Sequence, residues 1–182
     1  MTRVFLSIGS NLGDRLELLR RALALLLETD GIRFLDASRL YETEPWESAP
    51  GQTPNRAGWF LNGVVAIETD LAPASLLARI QEIEGALGRI RSGGPPEAAR
   101  YKPRTLDIDI LLYGEQVTSV PDDLHIPHLL MHERGFVLKP LADLAPELEH
   151  PALYQTVREL LEALEDDHHA EPADLPSRWF QP

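Results

Sequence analysis

The sequence contains no cysteine, which excludes disulfide bonds and thiolate metal sites. It has no apolar run of the roughly 18 residues that a membrane-spanning helix needs, and it does not start with a basic-then-apolar signal peptide. We therefore expect a soluble, cytoplasmic protein. Basic residues are also scarce, because 17 lysines and arginines stand against 29 acids and give a net charge of −12. This acidic balance disfavours nucleic acid as a partner.

The length of 182 residues suits one domain with a full hydrophobic core. Residues 1–164 are predicted to form this domain, and the polar, proline-containing segment 165–182 is expected to be a flexible tail. We expect a monomer, because no unpaired apolar stripe is left over.

Apolar periodicity predicts the order β-α-β-β-α-β, followed by additional C-terminal helices. The first helix is expected at residues 15–28 behind Asp14 as N-cap, and the second near residues 71–90 with Pro73 in its first turn. The order indicates a ferredoxin-like α+β fold with a mainly antiparallel sheet. Helices would cover one face of the sheet and leave the other face open to loops.

Two aspartates interrupt the apolar stretch RTLDIDILLYG at residues 104–114. Strand geometry places Asp107 and Asp109 on one face, about 7 Å apart at Cα, with Leu106, Ile108, Ile110 and Leu112 on the other. Two carboxylates without cysteine or paired histidine nearby fit Mg²⁺ better than Zn²⁺. The alternative is a pair of solvated aspartates on an open face.

Residues 89–104 form a basic island in this acidic chain, with five basic residues against one acid, Glu97. Arginine binds phosphate oxygens in a bidentate manner. Next to paired carboxylates, these arginines indicate a clamp for a phosphoryl group. A solvated basic loop is the alternative interpretation.

The stretch WFLNG at residues 59–63 puts Phe60 and Asn62 on one face of a strand. An aromatic ring and an amide suit a flat heterocycle, although core packing explains them equally well. His128 is either a phosphate donor or a structural histidine. The stretch IGSNLGD lacks both the lysine of a phosphate-binding loop and the dinucleotide glycine spacing, so we interpret it mainly as a strand-to-helix turn.

Six stretches occur in a fixed order: SIGSNLGD, FLNGVVAIET, LGRIR, PRTLDIDILLYG, IPH and ERGFVLKPLADLAPEL. Together they resemble 6-hydroxymethyl-7,8-dihydropterin pyrophosphokinase, an enzyme of folate biosynthesis, over residues 4–150. The resemblance implies transfer of pyrophosphate from ATP to the pterin hydroxymethyl group, with AMP as the other product. It also implies ATP as co-substrate and two Mg²⁺ ions, whereas the absence of a nucleic-acid or membrane partner is expected from the composition.

The resemblance also implies roles for individual residues. Asp107 and Asp109 match metal ligands. The catalytic, phosphate-handling positions are Arg89, Arg91, Arg100 and Arg104. The nucleotide-site positions are Gln81, Glu84, Arg91, Arg104, Ile110 and His128. The pterin-site positions are Thr43, Pro45, Trp46, Phe60, Asn62 and Phe136, with Arg134 peripheral. Tyr101, Asp123 and His125 depart from residues seen in the family, and no family counterpart is found for the tail.

Two other classes compete with the kinase. A two-metal phosphodiesterase or nuclease also needs paired carboxylates, but it requires a base to activate water and a longer basic track. A non-catalytic ferredoxin-like module has no reason to gather two aspartates and several arginines on one face.

Overall fold

The computed structural model describes residues 1–46, 55–89, 105–120 and 124–182. Predicted residues Arg91, Arg100 and Arg104 lie outside these ranges. The strands are β1 (Thr2–Ser10), β2 (Ile32–Ala37), β3 (Tyr41–Thr43), β4 (Phe60–Thr69), β5 (Asp107–Tyr113), β6 (Thr118–Val120), β7 (Leu124–Ile126) and β8 (Ala170–Pro172). The helices are α1 (Arg15–Leu27), α2 (Pro73–Ala86), α3 (Gly135–Leu144) and α4 (Val157–Glu162), with 3₁₀ turns at Arg56–Gly58 and Met131–Glu133.

Local signals set the helix boundaries. Asp14 caps α1, since its carboxylate accepts a hydrogen bond from the Glu17 N–H at 3.1 Å. Pro73 is the first residue of α2, where its missing N–H costs nothing. Thr156 and Glu159 form a reciprocal capping box at α4. These caps confirm the predicted starts of α1 and α2.

The central sheet has the order β5-β1-β4, and both β2 and β3 pair with the far edge of β4. All of these pairs are antiparallel. Between α1 and α2 the structure has three strands, β2, β3 and β4, where the predicted order has two. The α+β class and the mainly antiparallel sheet agree with the sequence prediction.

One face of the sheet carries the larger core. Helices α1 and α2 pack there through buried leucines and isoleucines, with Val4, Leu6 and Ile8 of β1 beneath them. The apolar face of β5 joins this core through Ile108 and Ile110.

Helices also cover part of the second face, which corrects the expectation that it would be left to loops. Val137, Leu138 and Leu141 of α3, with two α4 residues, pack there over Phe5 and Val64. The C-terminal helices therefore close one end of this face. The paired aspartates and Asn62 occupy its other end.

The alternation of β5 holds only up to Ile110. The pairing with β1 shifts register between Phe5 and Leu6, and Leu111 and Leu112 both join the second core. Leu112 was predicted to lie with Ile108 and Ile110, and that placement is wrong. A bulge adds one residue to the strand, which reverses the faces of the residues that follow.

The C-terminal segment, residues 165–182, packs against the domain, which corrects the expectation of a flexible tail. Strand β8 pairs with β3, and Trp179 is 1% exposed. The Trp179 indole N–H donates to the Ser38 carbonyl at 2.8 Å, and Phe180 contacts the Phe34 ring. Trp179 and Phe180, which pack against residues far away in the chain, anchor an otherwise polar segment. No helix within the described ranges is long and apolar enough to cross a membrane.

Candidate active site

The candidate site is centred on Gly9, close to the end of β1. Gly9 pairs with Asn62 of β4 on one side and with Asp107 of β5 on the other. Residues opposite each other in antiparallel strands project to the same face. Asn62, which is predicted to bind the pterin, and Asp107, a predicted metal ligand, thus lie in one row that runs across the strands.

Asp109 lies on the same face as Asp107, one pleat further along β5 and opposite Ser7. Its Oδ2 lies 4.0 Å from Nε2 of His128. Burial, and next the negative charge of Asp107, raise the pKa of Asp109 above its ordinary value. The two negative charges repel each other, and a divalent cation bound between the carboxylates would remove this repulsion.

His128 is a neutral ring in this environment. Burial and the positive charge of Arg134 lower the pKa of His128 to about 4. The Leu130 N–H donates to Nδ1 of His128 at 3.3 Å, so the proton of the neutral ring belongs on Nε2. His128 therefore directs a hydrogen-bond donor toward the carboxylate pair.

Arg89 connects helix α2 to the carboxylate strand. Its Nη1 lies 2.6 Å from Oδ1 of Asp107 and also pairs with Glu84. Glu84 is 1% exposed and accepts a hydrogen bond from the Ile108 N–H at 2.9 Å. The buried Glu84 carboxylate thus positions both the Arg89 guanidinium and the start of β5.

The donor set fits Mg²⁺. No cluster of three or more His, Asp or Glu residues suited to a metal occurs in the part of the chain that the structure describes. Two carboxylates are nevertheless what Mg²⁺ takes from a protein when water and substrate phosphates provide its other ligands. Asp107 and Asp109 meet this requirement on one rigid strand.

A buried amide corner lies on the other side of Gly9. Asn62 is 6% exposed and donates through Nδ2 to Oγ1 of Thr43 at 2.6 Å. Phe60 precedes Asn62 by two residues and lies on the same face. A Cβ atom at Gly9 would lie 2.1 Å from Oδ1 of Asn62 and 3.9 Å from the Phe60 ring. Glycine is therefore required for this corner to form.

An aromatic cluster stands at the end of β3 and the start of α3. The Trp46 ring lies 6.3 Å from Phe136 edge to face, and 5.0 Å from His168. The Arg134 guanidinium lies 5.9 Å from the Trp46 centroid and 5.6 Å from that of Phe136. Three predicted site residues, Trp46, Phe136 and Arg134, are thus in contact.

The structure separates other predicted residues from this group. Ile110 is 4% exposed and lies in the larger core, so its side chain does not face the carboxylates. Gln81 is on the exposed surface of α2, whereas Pro45 stays next to the aromatic cluster because it directly precedes Trp46. The sequence patterns predict no site role for Gly9 or His168. Gly9 had a signal in the SIGSN stretch, whereas nothing local connects His168 with a residue 122 positions earlier.

The model of the 7,8-dihydro-6-hydroxymethylpterin-pyrophosphokinase (HPPK) family matches residues 5–146. The chain belongs to the HPPK family. Among its relatives, the 2-amino-4-hydroxy-6-hydroxymethyldihydropteridine pyrophosphokinase of Methylorubrum extorquens is 44% identical over 166 residues, which are 91% of this chain and 95% of that protein. The enzyme of the same name from Pseudomonas aeruginosa is 43% identical over 82% of this chain and 84% of its own length.

Longer proteins contain the same unit. The folic acid synthesis protein fol1 of Schizosaccharomyces pombe is 43% identical over 88% of this chain, which spans only 20% of that protein. The crystal structure of Plasmodium falciparum HPPK-DHPS with pteroate covers 88% of this chain with a TM-score of 0.67 at 18% identity, and this chain covers 42% of it. That structure supports the fold.

These comparisons confirm the family, the α+β fold and the pyrophosphokinase activity in folate biosynthesis that the sequence predicts. The HPPK family uses ATP.

Proposed function

We propose that this chain transfers the pyrophosphoryl group of ATP to 6-hydroxymethyl-7,8-dihydropterin through the site centred on Gly9. The row that Asn62, Gly9 and Asp107 form across three strands carries the proposal. It supports a heterocycle site and a phosphate site side by side on one rigid sheet. Two substrates bound in adjacent sites react as if within one molecule, which removes much of the entropic barrier.

In the proposed reaction, the hydroxymethyl oxygen of the pterin attacks the β-phosphorus of ATP. A new bond forms between that oxygen and phosphorus while the bond from the β-phosphorus to the α,β-bridging oxygen breaks. AMP leaves with that oxygen, and the proton of the hydroxyl group passes to solvent water. The pterin diphosphate is the second product.

Asp107 and Asp109 are proposed to hold two Mg²⁺ ions. When bound, these ions would neutralise the triphosphate charge. Arg89 is already held 2.6 Å from Asp107 and would stabilise charge on the phosphates. Neutral His128 would donate to a phosphate oxygen from Nε2. Arg91, Arg100 and Arg104 stay predicted phosphate ligands, and Gln81 and Glu84 predicted nucleotide-site residues.

The pterin is proposed to bind between the amide corner and the aromatic cluster. Asn62 offers a donor and an acceptor to the edge of the ring, and its bond to Thr43 fixes its orientation. Phe60 and Phe136 would stack on the two faces of the ring. Pro45 and Trp46 would line the entrance. A monomeric state and a cytoplasmic location remain predictions from the sequence.

The direct test measures AMP formation from ATP and Mg²⁺, with and without 6-hydroxymethyl-7,8-dihydropterin. We expect pterin-dependent AMP from the wild type and its loss in Asp107→Ala. Asp36→Ala is the matched control, because Asp36 is an exposed aspartate on β2 at the far edge of β4. Equal AMP formation with and without the pterin would favour a phosphodiesterase. Absence of AMP from folded wild-type protein would contradict the proposed substrate.

A further inference from the structure

His168 belongs to the C-terminal segment, yet its ring packs on Trp46. The ring centroids are 5.0 Å apart with an angle of 35° between the planes. The other faces of this cluster belong to Phe136 and Arg134. A residue from the far end of the chain therefore contacts the aromatic cluster from which the proposed pterin site is built.

The His168 ring is held in a fixed orientation. Its Nδ1 lies 2.6 Å from Oδ1 of Asp166, which also accepts the His168 N–H at 3.0 Å. The Asp166 side chain is 2% exposed, and its Oδ2 accepts the N–H of Gly135 at 2.8 Å. Since Gly135 directly precedes Phe136, one buried carboxylate orients His168 and ties it to the start of α3.

Glycine at position 135 permits this contact. A Cβ atom there would lie 2.9 Å from Oδ2 of Asp166. Real Cβ atoms essentially never approach another heavy atom so closely, so glycine at position 135 leaves the space that the Asp166 carboxylate occupies.

The segment reaches the cluster through backbone pairing. Strand β8 adds to β3, and the pairing extends to Glu44, whose N–H donates to the His169 carbonyl at 2.8 Å. Lys139 of α3 donates to the Ala170 carbonyl at 3.0 Å. Trp179 then anchors the end of the segment in the larger core. His168 is thus held in place from both sides, by Asp166 before it and by strand β8 after it.

We propose that His168 is a positioning residue for pterin binding, acting through Trp46. Its ring holds the Trp46 ring against Phe136 before the pterin binds. Because these rings are already ordered, binding costs less entropy. The inference rests on the proposed function, because it takes the cluster to border the pterin site.

The proposal predicts a change confined to the pterin. An aromatic contact of this kind corresponds to roughly a 3- to 10-fold change in an equilibrium constant. We expect His168→Ala to raise the pterin KM by about that factor, with kcat and the KM for ATP within about twofold of the wild type. A variant that merely loosened the fold would change all three parameters.

Two further substitutions separate the ring from its hydrogen bond. His168→Phe keeps an aromatic ring beside Trp46, and we expect it to restore the wild-type pterin KM. His168→Asn keeps a hydrogen-bond donor for Asp166 but has no ring, and we expect it to behave like His168→Ala. If His168→Ala does not fold, the contrast between Phe and Asn decides the same question. Glu171→Gln is the control, because Glu171 lies exposed on β8 and pairs with Arg56 at the surface.

Steady-state kinetics with both substrates varied is the experiment. A wild-type pterin KM in His168→Ala, or in His168→Asn, would overturn the proposal. Equal changes in the KM values for ATP and pterin would also overturn it. A wild type that forms no pterin-dependent AMP would instead contradict the proposed function, so the two failures are distinguishable.

Discussion

Gly9 and Asn62 face each other across β1 and β4 so closely that a Cβ on Gly9 would lie 2.1 Å from the Asn62 amide oxygen. Asn62 has little room to move, since it is 6% exposed and hydrogen-bonded to Thr43. The shape of the amide corner therefore depends on the absence of one side chain in the neighbouring strand.

Gly9→Ala is expected to displace Asn62. Overpacking of this kind costs about 1–3 kcal/mol of unfolding free energy, and loss of the amide contact would raise the pterin KM roughly 10-fold. Denaturant unfolding and kinetics measure the two effects. Gly85→Ala is the control, because nothing lies within 4 Å of its added Cβ in helix α2. That variant should gain about 0.5–1 kcal/mol.

Asp109→Asn tests the metal assignment while preserving side-chain shape. We expect kcat to fall by about 100-fold or more, since a neutral amide binds Mg²⁺ poorly and metal ions contribute several kcal/mol to such reactions. The melting temperature should stay the same or rise, because the substitution removes the repulsion between Asp109 and Asp107. Wild-type turnover at limiting Mg²⁺ would contradict the assignment.

Phe60→Ala tests the aromatic contact to the pterin. Loss of a stacking ring should weaken pterin binding about 10-fold and leave ATP binding nearly unchanged. Titration calorimetry with each ligand measures both affinities. Phe34→Ala is the matched control, because Phe34 is a partly buried phenylalanine on β2 that packs against Phe180. Equal losses of ATP and pterin affinity in Phe60→Ala would assign Phe60 to packing alone.

Trp179→Ala tests whether the C-terminal segment is part of the folded domain. Removing a side chain that is 1% exposed should cost about 3–5 kcal/mol of unfolding free energy. Amide exchange should accelerate along β8 and β3. Val117→Ala, at a residue 61% exposed, should change stability by no more than about 0.5 kcal/mol. An unchanged melting temperature for Trp179→Ala would show that the segment is dispensable.

His150 makes stability depend on pH. Burial, and then the neighbouring His132, lower the pKa of His150 below its unfolded value, and its Nδ1 accepts the N–H of Leu153 at 3.2 Å. The folded state therefore binds fewer protons than the unfolded chain, so this contribution is present above the unfolded pKa of about 6.5 and is lost as pH falls below it.

His150→Gln is expected to reduce this dependence, because the amide oxygen can still accept the N–H and carries no proton. Denaturant unfolding of both proteins at pH 8 and pH 5.5 gives the comparison. The wild type should lose more stability than the variant between these values. Equal losses of stability in the two proteins would show that His150 does not cause the pH dependence.

Much of the fold follows from local signals. Asp14, Pro73 and the capping box at Thr156 start their helices with interactions that span at most one turn. The alternation of β5 correctly puts Asp107 and Asp109 on one face. It fails at Leu112, because a bulge depends on the partner strand and leaves no periodic signal of its own.

The sequence by itself determined the family of this protein through six stretches in a fixed order, and it supplied paired carboxylates, a basic island and an aromatic-amide stretch as candidate site residues. Only the tertiary structure decided how these groups meet. The row through Gly9 joins strands far apart in sequence, and the contact of Trp179 with Ser38 spans 141 residues. Such contacts form because burying apolar surface is favourable however far apart the two partners lie in the chain. The composition of one segment does not indicate which distant segment it contacts.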